Sequence, residues 1–360
     1  MEGSFEAERF LTSMGKGRTV ALLMSGGVDS TVAALLLQKS GWRVVGLTLC
    51  IPGLDGRPVE TGESAAQAAS RLGIPHKIIR DEGFFAKRVA EPFLRSYREG
   101  RTPNPCADCN RFIKFGLLPD AAEDWMGEPV PVASGHYAQV LQTPSGPRLA
   151  CASDPTQDQS YFLCDLRKET LRRLIFPLGA LTKQEVRGLA KEKGLDMAEK
   201  TDSMEVCFLR GQDYRSFLGE DRPGDILDEK GRFLGRHHGL SRYTVGQRKG
   251  LGLSLPTPLY VLKLDVPSNS LIIGPREFAL THRVCAECPN ILAPEFLAGW
   301  HRRRFAGKVR SYASLASCRI ERLERDELVV TFDEPQFAPA AGQRLVLYHD
   351  GILVVSGVIV

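Results

Sequence analysis

The stretch VALLMSGGVDSTVAALLLQKSGW, Val20 to Trp42, constrains the fold more than any other part of the chain. Val20 to Met24 is an apolar run without alternation, the pattern of a strand buried on both faces, and Thr31 to Lys39 carries apolar residues at helical spacing. Ser25-Gly26-Gly27-Val28-Asp29-Ser30 must turn the chain between them. Two glycines let the backbone approach a ligand closely, while Ser25, Ser30 and the amide groups at the helix start offer donors to anionic oxygens. Phosphate fits that chemistry. The loop has neither the lysine and spacing of G-x-x-x-x-G-K-S/T nor the order G-x-G-x-x-G, so it is neither a Walker A loop nor a dinucleotide fingerprint.

The chain continues the alternation. RVVGLTLC (Arg43 to Cys50) reads as a second strand, SAAQAASRLG as a helix ending at Gly73, PHKIIR as a third strand, and EPVPVASGHYA as a fourth that leads to a loop at Gly135-His136-Tyr137. This is the pattern of an α/β doubly wound parallel sheet. Ligands of such sheets sit beyond the carboxyl ends of the strands, which gathers Ser25 to Ser30, Leu49 and Gly135 around one nucleotide. Helical pattern persists to Cys207. Short alternating runs punctuated by glycine then predict a small β-rich module over 208–278, and the end of the chain, with a hairpin signal at Asp350-Gly351, predicts a β-barrel over 279–360. A length of 360 residues with 43% hydrophobic content supports two or three such domains.

No long apolar stretch occurs and the N-terminus carries acidic residues, so the expectation is a cytoplasmic protein with no secretory signal and no membrane partner. Nine cysteines, an odd number without small-scaffold spacing, predict reduced thiols with catalytic or metal roles. The net charge of +4 does not by itself argue for a nucleic-acid partner.

Two cysteine-bearing stretches stand out. In GRTPNPCADCNRFIKFG (Gly100 to Gly116) the prolines fix an extended approach, and Cys106, Cys109 and Asn110 fall in the first turn of a helix. The helix N-terminus with Arg111 and Lys114 favours thiolate there, so a readily ionised thiol is expected. In KTDSMEVCFLR, Cys207 follows a polar turn and precedes Phe208 and Leu209; taken alone, such a cysteine is more often a buried small hydrophobe.

The S-G-G-V-D-S loop resembles that of the PP-loop ATP pyrophosphatases, enzymes that activate a carbonyl oxygen with AMP. T-P-N-P-C-x-x-C-N and D-S-x-x-V-C-F, with SGHY (Ser134 to Tyr137), DQSYFL (Asp158 to Leu163), G-x-L-x-K-x-x-V-R (Gly179 to Arg187) and YTVGQRKGLG (Tyr243 to Gly252), resemble the tRNA-specific 2-thiouridylases over nearly the whole chain. The resemblance implies ATP-dependent exchange of sulfur for oxygen at C2 of the wobble uridine of tRNA. It implies an ATP site of Leu23, Met24, Ser25, Gly26, Gly27, Val28, Asp29, Ser30, Leu49 and Gly135, with Mg²⁺ near Asp29. Cys207 would carry a persulfide and Cys109 would be its partner thiol, ending as a Cys109–Cys207 disulfide. Asn104, Pro105 and Cys106 would contact the base, and His136, Gln157, Asp158, Gln159, Arg310, Ser311 and Gln343 would contact tRNA. The implied sulfur donor is a cysteine desulfurase or a relay protein downstream of one.

The chain departs from the family pattern in places. A cysteine, Cys106, stands where many members carry an acid; LTLCIPGLDG lacks basic and aromatic residues common after the second strand; and Ser311 replaces part of an aromatic-basic pair for which Tyr312 can substitute. Cys106, Cys109 and Cys207 also leave open a 4Fe–4S cluster as the sulfur-handling group. Cys285 and Cys288 form a second C-x-x-C, which with Cys106 and Cys109 makes a nominal four-cysteine zinc set, but the interval is far longer than zinc-ribbon spacing and the pairs fall in different domains, so no zinc site is expected. A PP-loop amidotransferase or ligase, and a noncatalytic sulfur or RNA carrier, are the other functional classes; neither needs the loop and the paired thiols together.

Overall fold

A computed structural model describes residues 2–15, 17–59, 62–81, 83–194, 206–219, 221–253 and 257–360. It divides into two compact units, residues 1–88 with 106–211 and 351–353, and residues 89–105 with 212–350 and 354–360.

The first unit is built on a five-stranded sheet. Its strands are β1 (Thr19–Leu23), β2 (Arg43–Cys50), β3 (His76–Arg80), β4 (Val132–Ser134) and, after the hairpin of β5 (Gln139–Thr143) and β6 (Gly146–Ala150), β7 (Leu174–Ile175). The order is β3-β2-β1-β4-β7, with β1, β2, β3, β4 and β7 mutually parallel. In register, Val20 faces Val44 and Ala21 faces Val132. This is the doubly wound α/β class that the sequence implied. Strand β1 is central and buried on both faces, which is why it needs an unbroken apolar run.

The helices of this unit are α1 (Glu2–Gly15), α2 (Val28–Lys39), α3 (Glu63–Arg71), the short α5 (Pro105–Asp108), α6 (Leu118–Met126) and α7 (Lys183–Glu192); α4 (Glu91–Arg98) belongs to the second unit. One core joins Val20 and Leu22 of β1 with Val32, Leu36 and Leu37 of α2, Ala65 and Ala69 of α3, and Val186 and Ala190 of α7. Truncating Leu22 or Leu36 there costs about 2–5 kcal/mol. Between α5 and α6 the chain takes a π-helical form over Cys109–Leu117. Among the described residues, no helix is long and apolar enough to cross a membrane.

The second unit contains a small sheet in the order β10-β11-β8-β9, from β8 (Gly224–Asp228), β9 (Phe233–His237), β10 (Tyr260–Asp265) and β11 (Ser270–Gly274). It also contains a closed barrel of β12 (Leu280–Ile291), β13 (Phe305–Lys308), β14 (Ala316–Leu323), β15 (Glu327–Phe337), β16 (Arg344–His349) and β17 (Ile352–Ile359). The ladder runs β12-β15-β14-β13-β16-β17 and closes through β12 and β17. Asp350 and Gly351 take positive φ between β16 and β17, as a two-residue hairpin turn requires.

Candidate active site

The sheet order reverses between β1 and β4, and the S-G-G-V-D-S loop leaves β1 at that point. Gly26 has φ +73, and a Cβ there would lie 2.6 Å from the Ser64 carbonyl carbon. The loop therefore packs directly on the start of α3 and tolerates no side chain at Gly26. Gly27 caps α2 without a side-chain cap bond, and its own amide donates to Ser25 Oγ at 3.4 Å. Ser30 Oγ donates to Gly27 O at 3.1 Å, accepts from Ser25 N at 3.3 Å and lies 3.3 Å from Ser25 Oγ. Thr31 Oγ1 also donates to Gly27 O, at 2.9 Å. The result is a preshaped turn that presents Ser25 to solvent at a helix N-terminus. Leu23 and Met24 lead into it from β1, and Leu49 is half-buried near the carboxyl end of β2.

Gly135 closes the other side of the turn. A Cβ there would come 2.9 Å from the Asp29 carbonyl carbon and the Ser30 nitrogen. Its neighbour His136 is half-buried, bonded through Nδ1 to Ser134 Oγ at 2.7 Å, and ringed by Phe115 and Phe176. Burial, with the nearby Lys114 charge, holds the imidazole well below the ordinary 6.5, so His136 is neutral near pH 7.

Asp29 does not stand open as a metal ligand. Lys183 Nζ donates to both carboxylate oxygens at 2.9 Å, and Tyr137 Oη donates to Oδ1 at 2.9 Å. Sequence reasoning singled out the G-x-L-x-K motif but gave Lys183 no role.

Cys106 lies in the first helical turn, as expected, but Cys109 opens the π-helical segment one turn later. The expectation of readily ionised thiols there is corrected. Burial pushes Cys109 up to about 12, and it raises Cys106 as well; Lys114 opposes both shifts without overcoming them. Helix-terminus and lysine charges lose to desolvation around the half-buried Cys109. Cys207 lies within electrostatic reach of both, since its charge would raise each further.

Cys207 is exposed because its neighbour holds the turn down. Phe208 is 3% exposed, packs edge-on to Phe85 at 5.3 Å, and its carbonyl accepts from Leu54 N at 3.2 Å. The preceding residues Lys200 to Glu205, including the Asp and Ser of D-S-x-x-V-C-F, lie outside the described residues. All nine cysteines are reduced thiols. Among the described residues, no group of three or more His, Cys, Asp or Glu is placed to hold a metal ion.

The segment Gln157-Asp158-Gln159 is an internally braced turn. Asp158 accepts from Ala152 N at 3.0 Å and from Ser160 Oγ at 2.9 Å, while Gln159 Oε1 accepts from Tyr137 N at 3.0 Å; Gln157 is half-buried beside them. In the second unit, Asn104 and Pro105 are buried, and Gln343 Nε2 donates to the carbonyls of Thr102 and Pro103 at 3.0 and 3.1 Å. Gln343 thereby pins the segment that leads to Asn104. Arg310 is spent on the carbonyls of Val245 and Ala338, at 2.7 and 2.6 Å; Ser311 is half-buried, whereas Tyr312 is 79% exposed.

Family profiles match in chain order: one described as a tRNA methyl transferase HUP domain over residues 18–211, one as a tRNA methyl transferase PRC-barrel domain over 215–275, and one as an aminomethyltransferase beta-barrel domain over 284–359. The tRNA-specific 2-thiouridylase MnmA of Syntrophomonas wolfei is 41% identical over 94% of this chain and 98% of its own length. That of Trichlorobacter lovleyi is 41% identical over 94% and 96%, and that of Symbiobacterium thermophilum 40% identical over 98% and 95%. With its loop at the switch point of a parallel sheet and a closed barrel at its end, matched along nearly its whole length, the chain belongs to the tRNA-specific 2-thiouridylase family of tRNA sulfurtransferases.

Proposed function

We propose that the chain is a tRNA uridine 2-sulfurtransferase that converts the wobble uridine at position 34 to 2-thiouridine. ATP adenylates the C2 oxygen, N3 loses its proton, and pyrophosphate departs from the S-G-G-V-D-S loop. The terminal sulfur of a persulfide on Cys207 then attacks C2, and AMP leaves with the former oxygen. Cys109 attacks the Cys207 sulfur, closing a Cys109–Cys207 disulfide and releasing the sulfur on C2; the proton from Cys109 balances the one lost from N3. A donor thiol or other two-electron reductant reopens the disulfide for the next turnover.

The observation that supports this reading is that Cys207, far from Cys109 in sequence, lies within electrostatic reach of it in the unit that bears the phosphate-shaped loop. Cys106 shares that electrostatic reach, so the iron–sulfur route on the three cysteines is the alternative, and iron and acid-labile sulfide analysis of anaerobically purified protein separates the two. Mg²⁺ enters with the ATP phosphates, because Asp29 is engaged by Lys183 and Tyr137. We assign the ATP site as before, Asn104, Pro105 and Cys106 to the base, and the exposed Tyr312 with His136, Gln157 and Ser311 to tRNA; Asp158, Gln159, Arg310 and Gln343 shape those surfaces through the bonds they already make. The working division is 1–207 for ATP and sulfur chemistry, 208–278 as a central module and 279–360 as a tRNA-binding barrel, in a cytoplasmic enzyme supplied by a cysteine desulfurase or relay protein.

Pyrophosphate release measured with and without tRNA tests the reading. Release that requires tRNA supports it. Release driven by a small amine or acid without tRNA would instead support the ligase class, and no release under either condition the carrier class.

A further inference from the structure

Asp29 poses an electrostatic problem. It lies in the first turn of α2, where a carboxylate steadies the helix dipole, yet the same turn is the place proposed for a polyphosphate. A bare carboxylate there would repel the ligand. The fold answers with Lys183, from a segment 154 residues away, whose Nζ lies 2.9 Å from both carboxylate oxygens.

The lysine is itself held in place. Its side chain is 11% exposed against 26% for Asp29, and its ammonium lies 5.4 Å from the ring centroid of Tyr137, which is 1% exposed. Lys183 is the first residue of α7, whose start is fixed by a capping box of Thr182 and Glu185. Its backbone N donates to Asp154 Oδ2 at 3.2 Å. A long side chain at a helix start is ordinarily free to move; this one is confined by its cap, its ring platform and its partner.

We infer that Lys183 is a positioning residue for ATP: it neutralises Asp29 and fixes its carboxylate, so that the S-G-G-V-D-S loop accepts a polyphosphate rather than repelling it. This rests on the ATP reading above. Removing Lys183 alone leaves a partly buried, uncompensated charge facing the ligand, whereas removing both charges together restores a neutral loop. That rescue is what a generic packing role would not produce.

Calorimetric titration of the full chain with α,β-methylene-ATP and Mg²⁺, without tRNA, reads the effect independently of turnover. K183M is expected to weaken binding at least tenfold and K183R to restore most of it. D29N/K183M should bind clearly better than K183M, because the charge that Lys183 offsets is then gone. Thermal melts show which variants are folded; should K183M not fold, K183R and the double variant still decide, since a folded K183R that binds no better than tenfold below the parent chain, or a double variant with no measurable binding, would overturn the inference. Unchanged affinity in K183M, or a double variant no better than K183M, would overturn the inference. A parent chain that binds no nucleotide would overturn the ATP reading and this inference with it.

Discussion

The raised pKa of Cys109 makes a quantitative claim about its reactivity. A cysteine at the ordinary 9.0 is about one-tenth thiolate at pH 8, and one at about 12 is about one ten-thousandth thiolate, a deficit of roughly a thousandfold. The more basic thiolate is the better nucleophile, and a Brønsted slope of about 0.4–0.5 returns roughly 20- to 30-fold. Alkylation of Cys109 by iodoacetamide should therefore run roughly 40-fold slower at pH 8 than that of a free cysteine peptide. Restricted access alone would also slow the reaction, so the pH profile is the decisive part. Peptide mass spectrometry of the fragment carrying residue 109 should show a rate that keeps climbing about tenfold per pH unit past pH 9. Lys114 opposes the rise, so K114M should lower the rate further all along that limb. A plateau at or below pH 9 in the parent chain would refute the argument that burial outweighs Lys114 and the helix terminus.

Gln343→Ala removes the two bonds to Thr102 and Pro103 and should weaken tRNA binding by about 1 kcal/mol, leaving nucleotide affinity unchanged; fluorescence anisotropy with labelled tRNA checks both halves. His136 is held neutral in the fold while its unfolded counterpart takes up a proton below about pH 6.5. The unfolded state thus binds more protons, and this residue alone should withdraw about 1.4 kcal/mol of stability per pH unit as pH falls below that value. Denaturant titrations of the parent and His136→Asn should differ in that slope, and parallel slopes would contradict the assignment. Phe208→Ala should destabilise the chain by about 3 kcal/mol and loosen the turn that exposes Cys207, visible as a lower melting temperature and faster labelling at residue 207 in the folded variant.

Much of the first unit was legible from local pattern. The bounds of β2 were read to the residue, because Arg43 and the turn after Cys50 punctuate an apolar run, and the Asp350-Gly351 turn announced the hairpin of the barrel. The hairpin of β5 and β6 was missed although Pro144-Ser145-Gly146 marks its turn; the two strands are short and weakly alternating. The π-helical form at Cys109 could not be read, since a single segment's apolar period does not distinguish it from an α-helix. The thiol chemistry was misjudged for a related reason. Charges such as Lys114 are visible in sequence, whereas the desolvation that outweighs them exists only after packing. Lys183 was visible within a motif, but its meaning depends on a partner 154 residues away.

The proposed reaction delivers sulfur to C2 of a tRNA uridine. Purified chain, ATP, Mg²⁺, a persulfide donor and an unmodified tRNA bearing uridine at position 34 should yield 2-thiouridine at that position on nuclease digestion and mass spectrometry, with one AMP per sulfur incorporated. Cys207→Ser should abolish the product while leaving tRNA-dependent pyrophosphate release in place. Sulfur-free uridine despite ATP turnover, or full thiolation by Cys207→Ser, would contradict the account.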